Sequence, residues 1–191
     1  MIIDIDIPDN RIGDWEVSTF VVSEFSAFRF NIKMNKNRSI VAGKYKKLTY
    51  KNEIVMSNTP AEINDHFYFI EKAKLGGSIL INGLGLGVAV VEILKSKLVT
   101  DITIIEISKE VIELSSQIFK HDKRVNIINA DAMTWISPEN IKYNAVWHDI
   151  WNDICGDNIK DMTKLHKKYC QKTHWQGSWC EKECQQMGQY F

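Results

Sequence analysis

Between Ile79 and Val88 the chain reads Ile-Leu-Ile-Asn-Gly-Leu-Gly-Leu-Gly-Val, an apolar strand that runs into Gly83, Gly85 and Gly87, and the residues after it, Ala89 to Leu94, have helical character. A strand that turns sharply into a helix needs residues without Cβ, both to reach unusual backbone angles and to let a ligand lie against the main chain. The segment reads as a loop for a nucleotide-type cofactor.

The residues beyond the loop support an α/β chain. Strands are expected at 79–82, 102–106, 125–129 and 144–149, separated by helices at 87–97 and 108–120 and a short helix near 132–136. Strands separated by helical segments imply right-handed crossovers and a parallel sheet. Before the loop, Asn58-Thr59-Pro60-Ala61-Glu62 supplies a cap candidate, a proline for the first helical position and an acid for the first turn, so a helix is expected from there to about Lys74.

Residues 1–57 read as a β-rich appendage. Trp15 to Val22, Ala27 to Ile32, Ser39 to Ala42 and Glu53 to Met56 are strand candidates, broken at Asn35-Lys36-Asn37 and Lys51-Asn52, which suggests an antiparallel meander. The remainder, 58–191, reads as a cofactor-binding domain with a tail of two helices, about 158–171 and 178–187. Ending the sheet after a fourth strand would leave an edge to be covered by the appendage, the tail or a second subunit, as in a homodimer.

Composition narrows the partners. Lys+Arg and Asp+Glu both number 24, so no bulk positive field collects nucleic acid or an anionic membrane. The longest uncharged run, Leu75 to Val91, is shorter than the roughly 20 residues of a membrane helix. The start alternates Asp with Ile and has no basic leader region, so a cytoplasmic protein is expected. The four cysteines, Cys155, Cys170, Cys180 and Cys184, crowd the last quarter and are expected to be reduced. Cys170, Cys180 and Cys184 with His166 and His174 could form a zinc site, but C-x-x-x-C spacing is loose and plain packing is the better reading, so no metal is assigned.

Candidate chemistry sits where strands end. Val88 stands where the dinucleotide fingerprint asks for its third glycine, which favours a mononucleoside cofactor over NAD. Glu106 ends the second strand, where an acid accepts hydrogen bonds from ribose hydroxyls, or is merely an exposed acid beside a helix. Asp131 ends the third, where it could accept from an exocyclic amine such as that of adenine, or simply cap the next helix, with Ile107 and Met133 sandwiching the ring. His148 and Asp149 end the fourth. Asp149 could orient or deprotonate a nucleophilic amine, and His148 could do so instead. The alternative is a satisfied histidine and a capping aspartate. Trp147 and Trp151 suit core or pocket wall.

On these residues, 78–149 resemble the cofactor half of class I S-adenosylmethionine-dependent methyltransferases, in particular the spermidine synthase branch. Ile104 to Leu114 is similar to that branch's ribose-acid strand and following helix, Asn129-Ala130-Asp131-Ala132 to its adenine-side acid, and Trp147-His148-Asp149 to its catalytic strand end. Thr59 to His66 resembles its pre-loop helix, where Glu62 and His66, four apart on one face, could pair toward the substrate or form a plain surface ion pair. The resemblance implies a shortened Rossmann-like sheet ordered 3-2-1-4 with S-adenosyl-L-methionine held by Asn82, Gly83, Leu84, Gly85, Gly87, Glu106, Ile107, Asp131 and Ala132. Catalysis would fall to Asp149 and His148, and substrate to Glu62, His66 and Trp151. Leu84 and Leu86 fill a loop where the branch usually carries an acid, and the chain looks most like small methyltransferase-like proteins of phages and bacteria. The expected activity is methyl transfer to an unidentified small or macromolecular acceptor. Aminopropyl transfer to a polyamine, and a non-catalytic or cofactor-depleting binder, are the alternatives.

Overall fold

The computed structural model describes residues 3–33 and 38–188. Two sheets make up the fold. The first is antiparallel, in the order β1-β2-β3-β4: β1 (Asn10–Ile12), β2 (Trp15–Val22), β3 (Gly43–Tyr50) and β4 (Glu53–Ser57). The second contains β5 (Gly77–Asn82), β6 (Val99–Glu106), β7 (Val125–Asn129), β8 (Ala145–His148) and β9 (Gln176–Ser178), ordered β7-β6-β5-β8-β9 with every pairing parallel. This is a Rossmann-like sheet with an antiparallel β unit before it, and its first four strands have the expected 3-2-1-4 order.

Alternation along the parallel strands sorts side chains onto two faces. Ile79, Ile81, Ile102, Ile104, Ala145 and Trp147 enter one buried cluster, beneath α2 (Pro60–Ala73), α3 (Val88–Ile93) and α4 (Lys109–Ser115). Leu80, Ile105 and Val146 face the other way and pack with Leu165 and Tyr169 of α5 (Asn158–Tyr169). The first cluster also takes in Ile3, Ile5, Ile7, Val17, Leu48 and Met56, so one apolar core continues from the antiparallel unit into the parallel sheet.

Local chemistry explains where the elements differ from expectation. Residues 27–32 form a helix, not a strand: α1 spans Glu24–Lys33, with the Ser26 amide donating to Ser23 Oγ at 3.1 Å, an acid in its first turn and Lys33 in its last. Phe25, Phe28 and Ile32 stand at i, i+3 and i+7, a helical face that the alternation of Phe28, Phe30 and Ile32 hides. Ser39 to Ala42 form no strand, and the ladder begins at Gly43 instead. Strand β3 hides because its buried residues, Tyr45, Leu48 and Thr49, keep no two-residue period, and its pairing with β4 shifts between Leu48 and Thr49. Lys51 and Asn52, at φ +50° and +69°, make the tight β3–β4 turn. The Asn35-Lys36-Asn37 break lies outside the described residues.

Further on, α2 begins at Pro60 behind Thr59 and ends at Ala73. Residues 131–135 make one turn rather than a helix, with the Thr134 and Trp135 amides both donating to the Asp131 carbonyl. The sheet edge left by β8 is taken by the tail, since β9 pairs with it in parallel before α6 (Glu181–Gly188). Among the described residues no helix is long and apolar enough to cross a membrane.

Candidate functional site

A crevice of about 210 Å³ opens at the carboxyl edge of β5, β6 and β8, with the antiparallel unit as its far wall. Gly83, Gly85, Ile105, Glu106, Ile107, Val111, Ala130 and Ala132 line one half; Glu62, Asp149, Ile150, Trp151, Asn152 and Trp179 line the other; Trp15, Leu48, Val55 and Met56 close over the top. Crevices of this kind form outside the strand ends of open α/β sheets, where adjacent crossovers diverge.

The glycine loop is shaped by close approach. Gly83 sits at φ +100°, and a Cβ there would strike the carbonyl oxygen of Asp149. Its glycine therefore lets the ends of β5 and β8 converge, which the Asp149 amide completes by donating to the Asn82 carbonyl at 2.8 Å. Gly87, at φ +68°, turns the chain into α3 beneath the ring of Phe119. It does not line the crevice.

Glu106 is buried, and its two carboxylate oxygens accept the amides of Leu84 and Ser108, each at 2.8 Å. Burial raises its pKa, against the pull of those backbone donors. Each oxygen has a second lone pair, so the carboxylate can still accept from a pair of vicinal hydroxyls. Beside it Ile107 is 70% exposed and, with Val111, Ala130 and Ala132, forms an apolar slot suited to a flat ring. Those features fit an adenosyl group.

Three other residues expected at the cofactor are placed elsewhere. Leu84 turns its side chain into the core and meets the site only through its amide. Asp131 stands outside the crevice lining and accepts the Met133 amide at 2.8 Å, the capping role. Asn82 is buried on the α5 face of the sheet, its amide nitrogen 2.8 Å from His148 Nδ1.

His148 is the main correction. It shares the parity of Val146, so it points away from the crevice, is fully buried, and lies between Asn82 and Gln176 Oε1, the latter 3.3 Å from Nε2. Burial depresses its pKa to about 3. Asp149, one residue beyond the strand, faces the crevice instead. Burial and then the charges of Asp65 and Glu106 push its pKa up to about 7.

Helix α2 brings three polar groups against Asp149. Glu62 lines the crevice with a pKa raised to about 8 by burial, then by Asp149 and Asp65, partly offset by Arg38. His66 is buried with a pKa lowered to about 4, and its Nε2 faces Asp149 Oδ2 at 3.7 Å rather than pairing with Glu62. At that distance the contact is not a hydrogen bond, and neither ring nitrogen has a partner among the described residues. The Trp179 indole N–H, on the crevice wall, is also unpaired among them. Asp65 pairs with Arg38 at 2.9 Å, tying the antiparallel unit to α2.

Trp15, Met56, Asp65, Arg38 and Trp179 are not legible as site residues in the sequence. Only Asp65 carries a usable signal, standing three residues after Glu62 on the same helix face. Trp151 does line the crevice, whereas Trp147 is core, stacked on Phe69 at 5.1 Å. In the tail, His166 Nε2 meets Ser178 Oγ at 2.9 Å, and no three metal-type side chains converge among the described residues.

A family model described as the spermine/spermidine synthase domain matches residues 66–179. No curated protein matches the chain. Among solved structures, a plantazolicin methyltransferase in complex with SAH is 19% identical, with a TM-score of 0.42 over 57% of this chain and 44% of that one. A protein described as precorrin 8W decarboxylase, from Methanobacterium thermoautotrophicum, is 12% identical, with a TM-score of 0.44 over 56% of this chain and 55% of that one. The chain thus spans about half the length of these structures.

Proposed function

The chain belongs to the spermine/spermidine synthase domain family, and from that premise we propose that it binds S-adenosyl-L-methionine in the crevice and transfers the methyl group to an amine acceptor. The observation that carries this reading is the placement of Asp149 and Glu62 opposite the Glu106–Ile107 slot within one crevice. Gly83 and Gly85 line the crevice beside that slot, Glu106 takes the ribose hydroxyls, and Ile107 with Ala130 and Ala132 flanks the adenine. When bound, the cofactor supplies a sulfonium that is already an activated leaving group, so positioning of the acceptor matters most.

The acid cluster suits an acceptor that arrives as an ammonium ion. An ammonium has no lone pair, so the nucleophile must first lose a proton. Asp149, with its pKa about 7, is matched to take that proton near neutral pH. Glu62, higher still at about 8, is largely protonated there and can donate a hydrogen bond while Asp149 accepts. Neutral His66 packs beside Asp149 at 3.7 Å, and the tryptophans Trp151 and Trp179 wall the crevice.

A second reading, aminopropyl transfer, is favoured by the presence of both Glu62 and Asp149 on one crevice and by the family itself. Calorimetry with S-adenosylmethionine and S-adenosylhomocysteine tests the shared premise: absence of heat from both ends it. Supplying a diamine with either S-adenosylmethionine or its decarboxylated form then separates the two, since methylated and aminopropylated products differ in mass.

A further inference from the structure

Resting on the adenosyl reading of the crevice, we propose that Met56 is a specificity-determining residue that caps the glycine loop and keeps a ligand's carboxylate or phosphate off it. Free backbone N–H groups in succession are what make such a loop a cradle for anions. Here four of the five amides from Gly83 to Gly87 are committed within the protein. Gly83 donates to the Ile105 carbonyl, Leu84 to Glu106 Oε2 and Gly87 to the Leu84 carbonyl, each at 2.8 Å. The fourth, Leu86, donates to the thioether sulfur of Met56 at 3.2 Å.

The sequence reaches that arrangement through the bulge in the antiparallel unit. Leu48 pairs with Met56 and Thr49 with Ile54, so Val55 is the extra residue, and both Val55 and Met56 are turned toward the crevice. Met56 lies over Gly85 so closely that a Cβ on that glycine would strike its sulfur. A thioether is a weak acceptor and a carboxylate a strong one, so hydrogen bonding alone would hand the Leu86 amide to an anionic ligand. Packing reverses that preference. Met56 is only 8% exposed and belongs to the central apolar cluster, so displacing it opens a void in the core. Asp149 across the crevice, once ionised, further disfavours a negative group.

The test compares S-adenosylhomocysteine, which carries an amino-acid tail, with 5′-methylthioadenosine, which lacks it, by calorimetry on the full chain. Met56→Ala is expected to tighten S-adenosylhomocysteine by about tenfold while moving methylthioadenosine less than about threefold, because a charge-assisted bond replaces the thioether. Equal changes for both ligands, or weaker binding of S-adenosylhomocysteine, would overturn the proposal. Should the variant not fold, the Leu86 amide resonance of the wild-type protein decides. It is expected to move alike with both ligands, and a downfield shift with S-adenosylhomocysteine alone overturns the capping role while leaving the adenosyl reading intact. Binding of neither ligand sinks both.

Discussion

Asp149 owes its chemistry to one residue of chain geometry. His148, still inside the ladder, points to the α5 face and is neutral in its burial, while Asp149, just past the last ladder pair, is free to turn into the crevice. Asp149→Asn should lower turnover by about 10²-fold or more, the usual scale for losing a positioned base, with S-adenosylhomocysteine affinity held within about threefold. Because the change also removes a buried charge, thermal stability at pH 8 should rise by about 1–2 kcal/mol. A loss of both binding and stability would remove Asp149 from the proposed role. Glu106→Ala should behave differently. It strips the acceptor from two backbone amides, Leu84 and Ser108, at about 1–3 kcal/mol for each one left unsatisfied, so a denaturation midpoint and a cofactor titration should fall together.

At the scale of elements, β9 and the aromatic stack finish the sheet. Phe69 of α2, Trp147 of β8 and Trp175 before β9 stack nearly parallel, with rings 5.1 Å and 6.3 Å from Trp147, and this pins the tail strand beside β8. Trp147→Ala should cost about 3–5 kcal/mol, measured by urea unfolding, because the cavity lies under both α2 and β9. A small loss would mean that the stack is not what holds the tail. The tail strand is invisible in the sequence for a physical reason. Gln176-Gly177-Ser178 has no apolar alternation and little strand propensity, and it pairs only because β8 presents an open edge. The same competition between local and distant forces makes α1 read as a strand, and there the local cap prevails because nearly all its apolar face is exposed.

For the whole molecule, two opposed sets of buried groups shape the response to pH. His66 and His148 have folded pKa values near 4 and 3, below their unfolded value, so they contribute stability above about pH 6.5 that is lost as pH falls toward 3. Glu62 and Asp149 have folded values near 8 and 7, above their unfolded ones. Between about pH 4 and 8 the native state holds protons that the unfolded chain has released, so stability falls as pH rises through that range. From about pH 4.5 to 6.5 the two trends offset, while above 6.5 only the acids act. Melting temperature should therefore be nearly flat from about pH 4.5 to 6.5 and decline toward pH 8, with the decline removed in Glu62→Gln plus Asp149→Asn. A melting temperature that climbs from about pH 6.5 to 8 would contradict the burial of those carboxyls.

By itself the sequence determined the Rossmann-like order of the first four strands, the glycine loop, and the acids Glu106, Asp149 and Glu62, because these depend on spacing within a strand–loop–helix unit. It could not determine which of them meet. His148 and Asn82 fell on the wrong face because a single step along a strand reverses direction. Asp131 became a cap because the next turn offered an amide. Met56, Trp15, Arg38 and the edge strand β9 were decided only by tertiary structure, where an apolar core shared by both sheets brings residues distant in sequence to one crevice.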